Sequence, residues 1–424
     1  MRYLYSLVFV ALLPLYLYGL YKSKKDKPSV GKRWIEHFGF TPPVNDSIEP
    51  LWIHAVSVGE VLAITPLIKR LHTQQPSLKI VLTTTTPTGA KQAETLAGYV
   101  SHRYMPLDLS FAIRGFLKNV CPSTLVIVET ELWPNLLHHV EKRGIPILVV
   151  NARLSERSFA RYKKIPGLFQ MIGPKLSEVM CHHSQDAQRF IKLGLPPSKV
   201  SITGSIKYDV DISPDTSEHG RQLRKATFGQ RNIWTLASSH RGEDEQILQV
   251  HKVLLQRFPD LLLILVPRHP ERFHEVFNVA TKNGFNVVRR SAGTQVSSDV
   301  SVYLADTMGE MFTILSMSDI CFMGGSLLGN KVGGHNLVEP AAMGVPTIIG
   351  PSYFNFKEIT QGLIEEGATE VAGSDEEIIR AVEALVSSKG LREARAKNAM
   401  RVVAQNGGSI AKTIEKLTGH TATL

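Results

Sequence analysis

The sequence predicts an α/β chain of two doubly wound parallel-sheet domains, preceded by an apolar helix. Three observations lead there. Short, nearly continuous apolar runs alternate with helix-like stretches, seven such runs in each half of the chain. Runs that are apolar throughout, rather than alternating, belong to strands covered on both faces, and parallel neighbours need helical crossovers between them. The apolar periodicity lapses across YDVDISPDTSEHGRQ, near residues 207 to 230, which separates the two sets. Residues 3 to 20, YLYSLVFVALLPLYLYGL, hold no charge over a length just sufficient for a membrane helix.

In chain order the apolar stretch comes first, as an anchor over residues 1–21. Arg2 is the only basic side chain before it, whereas Lys22, Lys24, Lys25 and Lys27 follow at once. By the positive-inside rule this asymmetry keeps the bulk of the chain in the cytoplasm. A cleaved signal peptide would instead carry its charge in front and a small-residue cleavage site behind. Pro14 is placed to kink the helix. Residues 22–48 form a basic juxtamembrane segment, in which GKRWIEHFG (31 to 39) suits either lipid head groups or a solvated amphipathic helix.

The first domain, 49–210, is expected to take its strands from LWIHAVS, KIVLTTTT, HRYMPL, TLVIVET, PILVVNA, EVMCHH and VSITGSI. Residues 211–230 are read as a linker. The second domain, 231–424, takes its strands from IWTLASS, LLLILVPR, NVVRRS, SVYLADT, ICFMGGS, PTIIGP and TEVAG. From residue 375 onward the chain reads as helices rich in Ala, Glu, Arg and Lys. At 424 residues the chain exceeds one ordinary core. A composition of 43% hydrophobic and 20% charged residues describes a folded globular protein. The net charge of +10 favours acidic partners. With no RNA-binding signature and no basic tract interleaved with aromatics, anionic lipid and phosphorylated substrates are expected and nucleic acid is not. Cys121, Cys181 and Cys321 lie far apart, which suggests a reducing compartment and structural roles.

Two clusters carry most of the chemistry. Residues 324 to 340, GGSLLGNKVGGHNLVEP, join a strand-like run to a helix start at Glu339-Pro340 through a loop with five glycines. Glycine lets backbone N–H groups approach a ligand, and a helix start favours anions. A tight βα turn has the same spacing, but His335, Asn336 and Glu339 beside the glycines favour a phosphate-plus-ribose site. HAVSVGE, 54 to 60, ends an apolar strand and opens the periodic helix VLAITPLIKRLH. Ligands of open α/β sheets bind beyond the carboxyl ends of the strands. Glu60 therefore stands where a general base is wanted, or else stabilises the helix N-terminus.

Four further stretches supply candidates. VPRHPER ends a strand with Arg268 and His269; the forked Arg268 guanidinium suits a phosphate, and capping the strand is its other reading. DTMGEM places Gly309 and Glu310 at another strand-to-helix turn, with Met311 read as packing. VETELWPN closes a buried strand with Glu129 and Glu131, one expected to be structural and the other to face a ligand. TTTTPTGA, 83 to 90, is either a hydroxyl-rich turn touching sugar or an N-capped helix start.

Taken together and in order, the anchor with its basic stretch, HAVSVGE, TTTTPTGA, VETELWPN, NARLSERS, GSIKYD, ASSHRGEDE, VPRHPER, the GEM of DTMGEM and GGSLLGNKVGGHNLVEPAAMGVP resemble one family over nearly the whole chain. That family is the 3-deoxy-D-manno-octulosonic acid (Kdo) transferases of lipopolysaccharide synthesis. The resemblance implies GT-B architecture, two Rossmann-like domains with a cleft between them, and C-terminal helices packed back across the first. It implies inverting transfer of Kdo from CMP-Kdo to a lipid A precursor at the cytoplasmic face of the inner membrane. It implies Glu60 as general base, with Glu131 and Lys207 as transition-state stabilisers. CMP contacts are implied for Arg268, His269, Gly309, Glu310, Met311, Asn336, Leu337, Val338 and Glu339. The choice of CMP over UDP comes from the resemblance alone.

No cofactor is expected, and no metal. A divalent cation usually neutralises such a leaving group, but no cluster suited to Mg²⁺ or Mn²⁺ is read in the chain, so positive side chains and the glycine loop take that part. Glu60 is expected to be ionised, with an ordinary carboxylate value near about 4.3. Two other classes stay open. Another GT-B enzyme of nucleotide sugars, transferase or epimerase, differs in donor specificity. A non-catalytic membrane-tethered nucleotide-binding module would bind without turnover.

Overall fold

A computed structural model describes residues 1–21, 28–44, 48–210, 212–293 and 296–420. Lys22, Lys24, Lys25 and Lys27 of the basic segment lie outside the described residues. The chain divides into two units, Met1–Asp209 with Asn406–Leu424, and Val210–Gln405.

The first unit holds β1 (Leu51–His54), β2 (Ile80–Thr84), β3 (Ser101–Tyr104), β4 (Thr124–Val128), β5 (Ile147–Ala152), β6 (Glu178–Cys181) and β7 (Val200–Ile202). They form a seven-stranded sheet in the order β3-β2-β1-β4-β5-β6-β7, parallel throughout. Pleating sends alternate residues to opposite faces, and both faces are covered. Trp52, level with Val81 and Leu125, packs with them into one apolar cluster. Leu51, Ile53, Leu82, Val126 and Val128 fill the cluster on the other face. The chain enters at β1, winds outward to β3 and returns through β4, so β1 and β4 flank the point where the winding reverses.

The second unit repeats the plan. Its strands are β8 (Ile233–Ser239), β9 (Leu262–Pro267), β10 (Val287–Arg289), β11 (Val302–Leu304), β12 (Ile320–Met323), β13 (Thr347–Ile349) and β14 (Thr369–Val371). The order is β10-β11-β9-β8-β12-β13-β14, again all parallel. Trp234, Leu236, Leu263 and Leu265 face one cluster, and Ile233, Leu262 and Ile264 the other. Each apolar run read from the sequence contains one of these fourteen strands, except that β3 begins one residue before HRYMPL. The segment expected as a linker carries the helix Pro214–Phe228.

Two helices join the first unit from the chain's extremities. Arg2–Tyr21 has 20 residues and is long and apolar enough to cross a membrane by length and composition. One stripe of it packs on the unit: Asn135 donates to Ser6 Oγ at 2.9 Å, and Phe9, Leu13 and Leu17 meet Leu107, Leu109 and Ala112. Its opposite face leaves Tyr3, Leu4, Leu7 and Leu15 exposed. The helix Ser409–Thr418 puts Ile414 and Leu417 into the cluster shared with Ile64 and Leu67. Cys181 and Cys321 are buried, but Cys121 is exposed at the end of the helix Ser110–Val120, so a structural packing role does not extend to it.

Each sheet breaks register once at its carboxyl edge, at a non-glycine residue in the left-handed region: Asn151 in β5 (φ 54°) and Ser238 in β8 (φ 58°). Strain of this kind persists only where surrounding contacts over-determine it. At Ser238 those contacts include Ser239 Oγ donating to the Asp244 carboxylate, and Arg272, which bonds both Ser239 O and Asp244. Arg272 and Asp244 are both buried. Removing one partner of a buried pair strands the other charge, at a typical cost of about 3 to 5 kcal/mol. Arg272→Met should therefore lower the unfolding free energy of the second unit by about 3 to 5 kcal/mol, read by denaturant titration; a loss under about 1 kcal/mol would show the pair to be dispensable.

Candidate active site

In the first unit the candidates gather beyond the carboxyl ends of β1 and β4. The helix Val58–Gln74 follows β1, and Glu60 lies in its first turn. Its Oε2 accepts the Val56 N–H at 2.7 Å and its Oε1 the Ser57 hydroxyl at 3.1 Å, so it does stabilise the helix start. Yet the side chain is buried at 8% exposure. Burial pushes the Glu60 carboxyl up to about 7, opposed by the Val56 and Ser57 hydrogen bonds and reinforced by the negative charges of Glu129 and Glu131. The ordinary carboxylate expected from sequence is corrected here: desolvation outweighs the two donors.

Glu129 and Glu131 stand just past Val128, the last residue of β4. Glu129 has φ 61°, and its N–H still donates to Val150 O at 3.0 Å, so the chain leaves the strand there. Glu131 Oε2 accepts Trp133 Nε1–H at 3.1 Å, and Trp133 meets the buried His54 ring edge-on at 5.6 Å. Thr86 Oγ1 accepts the Gly89 N–H at 3.1 Å with Pro87 opening the helix, so TTTTPTGA is an N-capped helix start.

Lys207 follows the edge strand β7, but the chain turns back from it. Ile206 N–H donates to Asn151 Oδ1 at 3.2 Å, and the Ile206 side chain joins Val61 and Ile64 of the Glu60 helix in one apolar cluster. Lys207 is thereby carried to the side of the sheet that bears Glu60. Its charge, with those of His183 and Arg153, adds to burial in pushing His182 down to about 3.

In the second unit the candidates lie beyond β11, β9 and β12, strands grouped around β8 in the sheet. Arg268 is exposed, and among the described residues its guanidinium has no ion-pair partner. His269 Nδ1 is 4.0 Å from a Glu271 carboxylate oxygen, and its ring lies 5.4 Å from that of His240. His240 in turn stacks on His335 at 5.2 Å, with the two Nε2 atoms 2.9 Å apart. Glu339 is pushed up by burial and drawn back by Arg268. Asn336 Oδ1 accepts the Val338 N–H at 3.1 Å. Leu337 and Val338 point into the core, so only their backbone is presented to a ligand.

Gly309 takes φ 80° in the turn before the helix Met311–Met317, and Met311 packs beside Phe228 and Tyr303. The Glu310 carboxylate is engaged by Arg290 through two 2.6 Å bonds, which hold it below the usual carboxylate range.

The glycine loop departs from expectation. The N–H groups of Gly325, Ser326 and Leu327 do not face outward but donate to the buried Glu243 carboxylate at 2.7, 2.9 and 3.0 Å. Neither Glu243 nor His240 was singled out, although both stand in ASSHRGEDE. The available signal was placement: Glu243 begins the helix after β8 as Glu60 begins the helix after β1. Against the expectation of no such motif, the chain holds an Asp-x-Asp at 209 to 211. Residue 211 lies outside the described residues, and Asp209 caps the last helix by accepting the N–H groups of Gly408 and Ile410.

Residues 32–210 match the family model described as 3-deoxy-D-manno-octulosonic-acid transferase (kdotransferase). A 3-deoxy-D-manno-octulosonic acid transferase of Haemophilus influenzae is 40% identical over 421 residues, covering 98% of this chain and 98% of the relative. The chain belongs to the Kdo transferase family. It is a glycosyltransferase. A Bordetella pertussis transferase of the same description is 32% identical over 381 residues, 87% of this chain and 86% of that one. Among solved structures, UDP-GlcNAc 2-epimerase from Neisseria meningitidis bound to UDP-GlcNAc aligns with TM-score 0.54 at 13% identity, over 88% of this chain and 100% of its own. That likeness concerns fold alone, and agrees with the GT-B type expected of the transferase.

The Glu60 environment sets a testable pH dependence. Its value rises from 4.5 to about 7 on folding, so between those limits the folded state binds the extra proton. Stability contributed by this group is full at the acid end and lost as pH rises through about 7. In ¹³C spectra, the carboxyl resonance missing from Glu60→Gln should titrate near 7; a midpoint near 4.5 would contradict the burial argument.

Proposed function

We propose that the transferase moves Kdo from CMP-Kdo to a lipid A precursor by one inverting displacement, with Glu60 as general base. The observation that carries this reading is the buried Glu60 carboxylate in the first turn after β1, in a chain 40% identical to a Kdo transferase along 98% of both. A base with its pKa near the working pH is the efficient choice for taking a proton from a hydroxyl. Glu60 removes the proton of a glucosamine hydroxyl of the acceptor, and that oxygen bonds to the anomeric carbon of Kdo. The bond from that carbon to the CMP phosphate oxygen breaks, and CMP departs with the electron pair.

Glu131 offers negative charge to the positive character developing at the anomeric carbon, and the Lys207 ammonium balances the leaving phosphate. Arg268, exposed and without an ion-pair partner among the described residues, is the strongest candidate for the nucleotide phosphate. His269, Asn336 and Glu339 supply further side chains for CMP, while Gly309, Glu310, Met311, Leu337 and Val338 offer backbone. The helix Arg2–Tyr21, with Tyr3, Leu4, Leu7 and Leu15 exposed, anchors the enzyme to the cytoplasmic face of a membrane that contains the acceptor.

Incubation with CMP-Kdo and a tetra-acylated lipid A precursor, followed by mass spectrometry, should show Kdo added to the lipid. Epimerised or unchanged nucleotide sugar with no lipid product would overturn the assignment. Glu60→Gln should lose on the order of 100- to 10,000-fold in turnover while still binding CMP. In the wild type kcat/KM should climb with pH through about 7, because only the unprotonated base is competent; a flat profile there points to another base. Arg268→Ala should weaken CMP binding by about 1.5 to 3 kcal/mol, read by calorimetry.

Deleting residues 1–20 should abolish flotation with anionic vesicles at high salt and make residual binding at low salt depend on the basic segment. Because Phe9, Leu13 and Leu17 cover Leu107 and Leu109, the truncated protein should also need detergent to stay dispersed. Flotation equal to full length in high salt would remove the helix from the anchoring role.

A further inference from the structure

We propose that Glu243 is a positioning residue, whose carboxylate fixes the paired imidazoles of His240 and His335 at the reversal point of the second sheet. Its geometry stands by itself; its bearing on CMP rests on the donor-site reading above. Glu243 has 0% exposure and lies in the first turn of the helix Glu243–Leu254. Its Oε2 accepts the N–H of His240 at 3.0 Å and of Gly325 at 2.7 Å. Its Oε1 accepts the N–H of Ser326 at 2.9 Å and of Leu327 at 3.0 Å. A carboxylate offers about four lone-pair positions, and here each is taken by a backbone amide.

Those amides belong to both halves of the histidine pair's support. The His240 backbone is bonded directly. The His335 ring rests against Gly325, where a Cβ would lie 3.0 Å from its Cδ2 and Nε2, and Gly334 N–H donates to Gly325 O at 2.8 Å. Gly324 comes so close behind β8 that a Cβ there would lie 2.7 Å from Ser238 O. The glycines thus serve a close approach of loop to strand, and the carboxylate fills the nest of N–H groups that the loop forms. With the loop seated, the two Nε2 atoms meet at 2.9 Å, so one ring donates and the other accepts.

The groups around the pair favour neutral rings. Burial comes first, pushing His335 down to about 4 and His240 down as well. Each ring's neighbours act the same way: His240, Arg268 and His269 on His335, and His269, Arg272 and Arg268 on His240, with Asp244 opposing at His240. Loosening the loop would expose both rings and let them titrate nearer the ordinary value of 6.5.

Glutamine at 243 offers one oxygen, and its amide N–H₂ faces N–H groups, so at least two of the four amides lose their acceptor. Histidine-selective NMR of the full chain in detergent, with resonances assigned by His240→Asn and His335→Asn, reads the result. In the wild type both rings should titrate below the ordinary 6.5, His335 near 4. In Glu243→Gln at least one should titrate near 6.5, and CMP, the probe used, should bind at least tenfold more weakly. Glu243→Asp keeps both oxygens one methylene back and should fall between the two. A folded Glu243→Gln protein with unmoved histidine titrations overturns the proposal. Should that variant not fold, unmoved titrations in Glu243→Asp overturn it instead. Moved titrations with unchanged CMP affinity would uphold the positioning role and sink the donor-site reading.

Discussion

The molecule depends twice on a carboxylate in the first turn of the helix that follows the first strand of a unit, where the winding of its sheet reverses. That address is forced by topology: the strand and its oppositely wound neighbour diverge there, leaving unpaired amides at their carboxyl ends. Glu60 and Glu243 answer this need with different numbers of donors. Glu243 receives four N–H groups and is wholly occupied. Glu60 receives one amide and one hydroxyl, with Glu129 and Glu131 nearby, and so keeps unused proton affinity. One position therefore carries a fully hydrogen-bonded carboxylate in one unit and, in the other, the carboxylate proposed as the base.

The strands were legible because burial on both faces writes itself into sequence as uninterrupted apolar runs such as LVIV and LLILV. The placement of Glu60, Glu131 and Arg268 past strand ends was legible because each comes within a few residues of such a run. What could not be read was the direction of backbone N–H groups. Five glycines in one loop announce a close approach, but not whether its object is a ligand or an internal carboxylate. Charge state was equally hidden, since the upward shift of Glu60 arises from enclosure by residues distant in sequence. The same holds for Glu310, whose partner Arg290 lies in another βα connection.

Resemblance in fold and resemblance in sequence carry different weight here. The epimerase shares the architecture at 13% identity, while the Haemophilus relative shares 40% along nearly its full length. A fold of this type hosts several chemistries of nucleotide sugars, and the reacting residues separate them. In the proposed mechanism those are the carboxylates beyond β1 and β4, where burial rather than residue type sets the strength of the base.

The helix Ser409–Thr418 has a consequence for synthesis. It belongs to the first unit although 196 residues of the second, Val210–Gln405, intervene in the chain. Ile414 and Leu417 complete an apolar cluster begun at Leu51, and Asp209 caps the helix through Gly408 and Ile410. As the polypeptide leaves the ribosome, the first unit waits with an open apolar seam until the whole second unit has emerged. The second unit, continuous in sequence, has no such delay. The order of completion is therefore the reverse of the order of translation, and the seam over Ile64 and Leu67 is the surface a nascent-chain chaperone would find uncovered longest.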